Sequence, residues 1–149
     1  MCLALRSDAD GVVTLLLARG ASARTPCADG APPLTRAASA GSVAGARALL
    51  GAGAEVDART RDGNTALMIA AGRGHSALVS VLLDAKAEID ARGAGRKTAL
   101  MLAAAAGNRE AVTALLSRSA DAGLGDPAGR TAADLARAAH HEDVAALLE

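Results

Sequence analysis

Two thiols and three imidazoles are the groups in this chain with the reach to do covalent or metal chemistry. Cys2 and Cys27 lie in no Cys-x-x-Cys pair and beside no histidine that could take a proton, so neither has the neighbour that turns a thiol into a nucleophile. They read as inert. The run His140-His141-Glu142-Asp143 offers four potential metal ligands in a row. Adjacent helical residues point about 100° apart, however, and the i, i+4 spacing of a zinc-binding helix is missing. Glu142 and Asp143 suit the first turn of a helix, where acids favour the macrodipole. The glycines fall in neither the GxxxxGK[ST] nor the GxGxxG order that cradles phosphate, and are accounted for by turns and helix ends. No catalytic residue, metal site or cofactor is expected.

The elements that would carry any site are set by composition. Of 149 residues, 51% are hydrophobic, and none is Phe, Tyr or Trp. The chain should therefore fold, but around small and medium aliphatic side chains that require closely packed helices. Sixteen basic and sixteen acidic residues cancel, so no global field draws the chain to nucleic acid or to an anionic membrane. Two cysteines are too few for a disulfide framework, and the first ten residues lack the pattern of a signal peptide. The longest apolar run, Ala99 to Ala106, is far short of the roughly 18 residues of a membrane span. A soluble, cytoplasmic protein in a reducing setting is the expectation.

A period of 33 residues runs through the chain. It relates Leu34, Leu67 and Leu100; Thr65, Thr98 and Thr131; Gly41, Gly74 and Gly107; and Leu16, Leu49, Leu82, Leu115 and Leu148. Such a period implies a solenoid of stacked units. One array over residues 1–149 is expected, with a partial unit 1–27, complete units 28–60, 61–93 and 94–126, and a last unit 127–149. In the third unit, Thr65 is a good N-cap for a helix from Ala66 to Arg73, which Gly74 can end in a left-handed conformation. A second helix from about Ser76 to Ala85 carries Leu78, Val79, Leu82 and Leu83 on one face. The second unit sets Pro32-Pro33 at its first helical positions. Neither helix can bury its apolar face alone, so neighbouring units must cover one another.

The stretch DGNTALMIAAGRGHSALVSVLLDAKAEIDA, from Asp62 to Ala91, resembles the ankyrin repeat, and the likeness covers nearly the whole chain. The resemblance implies an all-α solenoid of helix-turn-helix units with short β-hairpin loops. The family's Thr-Pro-Leu-His segment corresponds to Pro32, Pro33, Leu34 and Thr35, then to Thr65, Ala66, Leu67 and Met68, then to Thr98, Ala99, Leu100 and Met101. The final unit reads Thr131, Ala132, Ala133 and Asp134. His75 falls at the family's structural histidine and is expected to make a local hydrogen bond. Met68 and Met101 replace the family's tip-proximal histidine and are expected to fill space between units. Lys86 and Ser119 stand where glycine follows the second helix, so each should hold a left-handed conformation at a cost of about 1 kcal/mol. Arg96 replaces a tip glycine, which predicts that this hairpin turns one or two residues early.

The resemblance further implies a non-catalytic module that binds a partner protein on a concave face built from hairpin tips and first helices. The positions that map there are Arg59, Arg61, Asp62 and Asn64 at one tip, Arg92, Arg96 and Lys97 at the next, Arg130 at the last, and Arg73 on a first helix. They lean basic, which suits an acidic or phosphorylated segment of the partner, met by a monomer. The alternative is a structural spacer or regulatory domain inside a larger multidomain protein.

Overall fold

The computed structural model describes residues 1–6 and 10–149, so Ser7, Asp8 and Ala9 of the first unit lie outside the description. Nine α-helices follow in order among the described residues: α1 (Asp10–Ala18), α2 (Pro33–Ala40), α3 (Val43–Gly51), α4 (Ala66–Gly72), α5 (Ser76–Asp84), α6 (Ala99–Ala105), α7 (Arg109–Leu116), α8 (Ala132–Ala138) and α9 (Glu142–Ala145). From α2 onward they form pairs joined by short loops. The first members, α2, α4, α6 and α8, pack in one row, and α1, α3, α5, α7 and α9 pack in a second. Each unit touches its sequence neighbours, as the period requires.

The residues explain the ends of these helices. Thr65, Thr98 and Thr131 are extended N-caps whose hydroxyls accept the backbone N–H of Met68, Met101 and Asp134. Asp134 returns the favour by accepting the N–H of Thr131 at 2.9 Å. This closes a capping box of the kind that stabilises a helix start by about 1 kcal/mol. Pro33 is the first residue of α2, where its missing N–H costs nothing, while Pro32 sits one place earlier as the cap. Gly41, Gly74 and Gly107 end α2, α4 and α6 with φ of +75°, +77° and +71°. The core lies between the rows, with Leu34, Leu49, Leu67, Leu78, Leu82, Leu100 and Leu115 fully buried. Met68 and Met101 are buried among them, filling space as expected.

No strand occurs among the described residues. The expected β-hairpins are reduced to tips closed by two backbone bonds each, as in Thr60 N–H to Asn64 O at 3.0 Å and Gly63 N–H to Thr60 O at 2.9 Å. The early turn expected at Arg96 occurs in part, since Gly95 takes φ +62°, one residue before the left-handed position of the other tips, while the closing bonds keep their places. Gly93 N–H donates to Lys97 O and Arg96 N–H to Gly93 O, the same register as the other tips, because Arg96 itself takes φ +55°. Lys86 and Ser119 take φ +67° and +65°, as their position demands. Lys86→Gly and Ser119→Gly should therefore each raise stability by about 0.5–1 kcal/mol in urea unfolding. Ser117→Gly, at a right-handed φ of −63°, should lower it.

The expectation of two inert thiols is corrected. Cys2 and Cys27 are joined in a disulfide across 25 residues, with their Cα atoms 5.8 Å apart. Cys27 holds the first position of a hairpin tip, donating its N–H to Ala31 O, and the 3-10 turn Ala4–Arg6 packs on α1 and α2. The fold of the first unit brings the two cysteines together, which a search for adjacent thiols misses. The bond also removes cysteine count as an argument for a reducing compartment.

Candidate functional site

The exposed side of the first-helix row and the tips beside it hold the nine residues singled out in the sequence. Their side chains divide into two groups. Arg59 donates from one guanidinium nitrogen to Gly63 O at 3.0 Å, within its own tip, and to Arg92 O at 2.8 Å, in the next. Arg92 repeats this with Arg96 O at 3.0 Å and Gly125 O at 2.9 Å. The two arginines, 33 residues apart, thus stitch consecutive tips together. Arg130 stays within its own tip, its Nη2 reaching Asp126 Oδ2 at 2.7 Å. Asn64 accepts the N–H of Ala94 through its side-chain oxygen at 3.0 Å. Arg73 donates to Ser39 O at 2.9 Å, across from α4 to α2.

The second group is Arg61, Asp62, Arg96 and Lys97, whose side chains make no hydrogen bond or ion pair with any described residue. Arg61, Asp62 and Arg96 are exposed and Lys97 is half-buried. The Arg61 guanidinium lies against Gly30 of the preceding tip, 3.2 Å from where a Cβ would be.

Two apolar residues that sequence reasoning passed over join this face. Ile69 on α4 and Leu102 on α6 are only half-buried. They line a shallow depression of about 280 Å³ together with Ser39, Asn64, Met68, Gly72 and Arg73. Gly72 keeps its floor low. The signal was present, since Ile69 and Leu102 are themselves one period apart, at the position that Arg36 holds in the second unit. Beside it, Arg36 and Arg73 line a second hollow with Ser39 and Ala40, and Arg36 is paired with Asp29. The face therefore combines a weakly apolar groove with cationic rims, an arrangement suited to holding a chain segment rather than to chemistry.

The histidines are explained by packing. His75 precedes α5 and makes no capping bond through its side chain, contrary to the local hydrogen bond expected. Its ring lies over Gly41 of the previous unit, 2.8 Å from where a Cβ would be. His141 lies over Gly107 in the same way, and Asn108 over Gly74. His140 takes φ +64° at a glycine position. Glu142 and Asp143 occupy the first turn of α9.

Asp126 is a buried carboxylate at the last tip. The guanidinium of Arg130 holds its carboxyl below the usual aspartate range, helped by the backbone N–H groups of Arg130 and Ala128. A depressed folded-state pKa gives stability that is present above the unfolded value and lost as pH falls through the folded one. Asp126→Asn should therefore unfold at lower urea than the parent at neutral pH, and the gap should close as pH drops below about 4.

Family models match most of the chain. One described as ankyrin repeats, in three copies, covers residues 1–93, and one described as ankyrin repeat covers residues 96–126. No curated protein matches it. Residues 127–149 lie outside both family matches yet keep the capped helix and its partner, α8 and α9.

Proposed function

The chain belongs to the ankyrin repeat family, whose units are generally protein–protein interaction modules, and from that premise we propose that it binds a partner protein along its tips and first helices without catalysing a reaction. The observation that carries the reading is the division among the basic residues. Arg59 and Arg92 are engaged in joining tips, while Arg61, Asp62, Arg96 and Lys97 make no hydrogen bond or ion pair with any described residue, and the groove of Ile69 and Leu102 is bordered by Asn64 and Arg73. Three of those four are cations. They favour an acidic or phosphorylated segment, with the groove taking one or two apolar side chains. Arg73 and Asn64 border the groove as polar guides. With no Tyr or Trp to act as anchors, affinity depends on guanidinium contacts and should fall with salt.

The test is a peptide array of acidic and phosphorylated segments read with the parent chain and with Arg61→Glu, Arg96→Glu and Lys97→Glu combined. Loss of the parent's hits, by tenfold or more in affinity, is the expected result. Hits that survive the triple reversal unchanged would reject this face. Arg59→Ala and Arg92→Ala should instead reduce stability, because each strands two backbone carbonyls.

A second reading, that the array abuts other parts of a larger protein, draws on the end of the stack. Leu3, Val12 and Leu15 are exposed there by 79%, 47% and 53%, whereas Val144, one of the counterparts of Val12 on α9, is buried. No helix among the described residues is long and apolar enough to cross a membrane. The chain acts as a monomer in this proposal.

A further inference from the structure

The arginine stitch between tips has a missing member. One period before Arg59 and Arg92 the chain carries Pro26, which has no side-chain donor. At the junction after Arg59, the guanidinium has three partners: Gly63 O, Arg92 O and the Glu88 carboxylate at 3.9 Å. One period earlier all three counterparts are present, as Gly30 O, Arg59 O and the carboxylate of Glu55. Neither of those carbonyls accepts a hydrogen bond from any described residue, and Glu55 forms no ion pair. Gly30 is overlain by the guanidinium of Arg61, but Arg59 and Glu55 line a space that no stitching guanidinium fills.

A cavity marks the place. It has a volume of about 270 Å³ and is walled by Ala23, Pro26, Pro32 and Pro33, with Glu55 and Arg59 in its lining. Ala23 contributes to the space, since its counterparts are the larger Val56 and Ile89. The volume is just below the roughly 300 Å³ at which small-molecule pockets begin, so it suits one long side chain rather than a whole cofactor. Proline rings give it apolar walls of the kind that the methylenes of an arginine would cover. Arg24 also lines it and works against a cation, although its Nε is already donated to Gly53 O at 2.8 Å.

We infer that this cavity is a vacated arginine slot that takes the guanidinium of an arginine side chain from a partner protein. The inferred occupant donates to Arg59 O and pairs with Glu55, as Arg59 itself does with Arg92 O and Glu88 one junction later. Arginine is selected over lysine because a guanidinium can meet a carbonyl and a carboxylate with different nitrogens, as Arg59 does with Nη1 toward Arg92 O and Nη2 toward Glu88. The inference shares with the proposed function only the premise of a protein partner. It concerns a different site, set by Pro26 and Glu55 rather than by Arg96 and Lys97, with Arg61 lying against Gly30 nearby.

The experiment uses the full chain, isotopically labelled, titrated with the peptide acetyl-Gly-Arg-Gly-amide and with its citrulline and lysine counterparts. Saturable amide shifts over residues 54–59, with the arginine peptide bound about tenfold more tightly than the citrulline one, are expected. Pro26→Arg should fill the slot from within, abolishing the shifts and raising the unfolding midpoint. Glu55→Gln should weaken binding several-fold, and Arg24→Ala should strengthen it. Arg96→Glu with Lys97→Glu should leave it unchanged, so a failure of the proposed docking face and a failure of the slot are separate results. Equal shifts from the arginine and citrulline peptides, or undiminished binding by Pro26→Arg, would overturn the inference. Should Pro26→Arg not fold, the Glu55→Gln titration decides on the same terms.

Discussion

Leu100→Ala is expected to remove about 3–5 kcal/mol from the unfolding free energy, the upper part of the range for deleting a buried leucine. Leu100 is 0% exposed and sits on α6, whose row neighbours are α4 and α8. Its cost should be high because much of the buried cluster is alanine. The surrounding buried residues include Ala70, Ala71, Ala103 and Ala104, whose side chains have no rotamers with which to fill a void. The chain also lacks the aromatic residues that elsewhere bridge such gaps. Position in the stack adds to the effect. A unit in the middle supports two interfaces, so its loss uncouples the units before it from those after it. Leu147→Ala, at a residue 36% exposed on the end of the stack, should cost less than about 1 kcal/mol. Urea unfolding followed by far-ultraviolet circular dichroism measures both, there being no tryptophan to report by fluorescence. A Leu100→Ala loss as small as that of Leu147→Ala would mean that the core is not continuous across units.

What the sequence discloses here is whatever repeats in kind. Thr65, Thr98 and Thr131 cap helices because a hydroxyl before an apolar run has one favourable use, and the leucines one period apart are buried because each unit covers the next. Left-handed glycines are legible for the same reason, and so are Lys86 and Ser119 in their places. Contacts between units are less legible. Arg59 and Arg92 look like surface charge, since the groups they reach are backbone carbonyls, which every residue has and no residue type announces. Their recurrence at one period was the available clue. Cys2 and Cys27 fall within a single unit and follow no repeat, so only the fold of that unit brings them together. At Arg96 the two glycines before it, Gly93 and Gly95, suggested a displaced turn; Gly95 does turn left-handed, and the tip's two backbone bonds hold their register at the modest cost of one left-handed arginine. Of the candidate docking residues, charge alone could not separate those that hold the tips together from those that face outward.

The glycine at the end of α4 shows how one of these contacts between units can be measured. Gly74→Ala should cost about 2–3 kcal/mol, in two parts of different origin. Its φ of +77° charges any side chain about 1 kcal/mol. The remainder comes from the next unit, because an added Cβ would lie 2.8 Å from Asn108 Oδ1. Asn108 can yield only by giving up its donation to Ala71 O at 2.9 Å, a bond worth about 1 kcal/mol or more when its partner is left unsatisfied. Gly53→Ala isolates the first part, since Gly53 has φ +84° and nothing within 4 Å of the added atom, and it should cost only about 1 kcal/mol. In an Asn108→Ala background the clash is absent, so Gly74→Ala should fall to the same figure, leaving a coupling of about 1–2 kcal/mol between residues in adjacent units. If the two substitutions prove additive, the glycine is required by backbone conformation alone. The side chains laid over Gly41, Gly74 and Gly107 would then contribute nothing to holding the units in register.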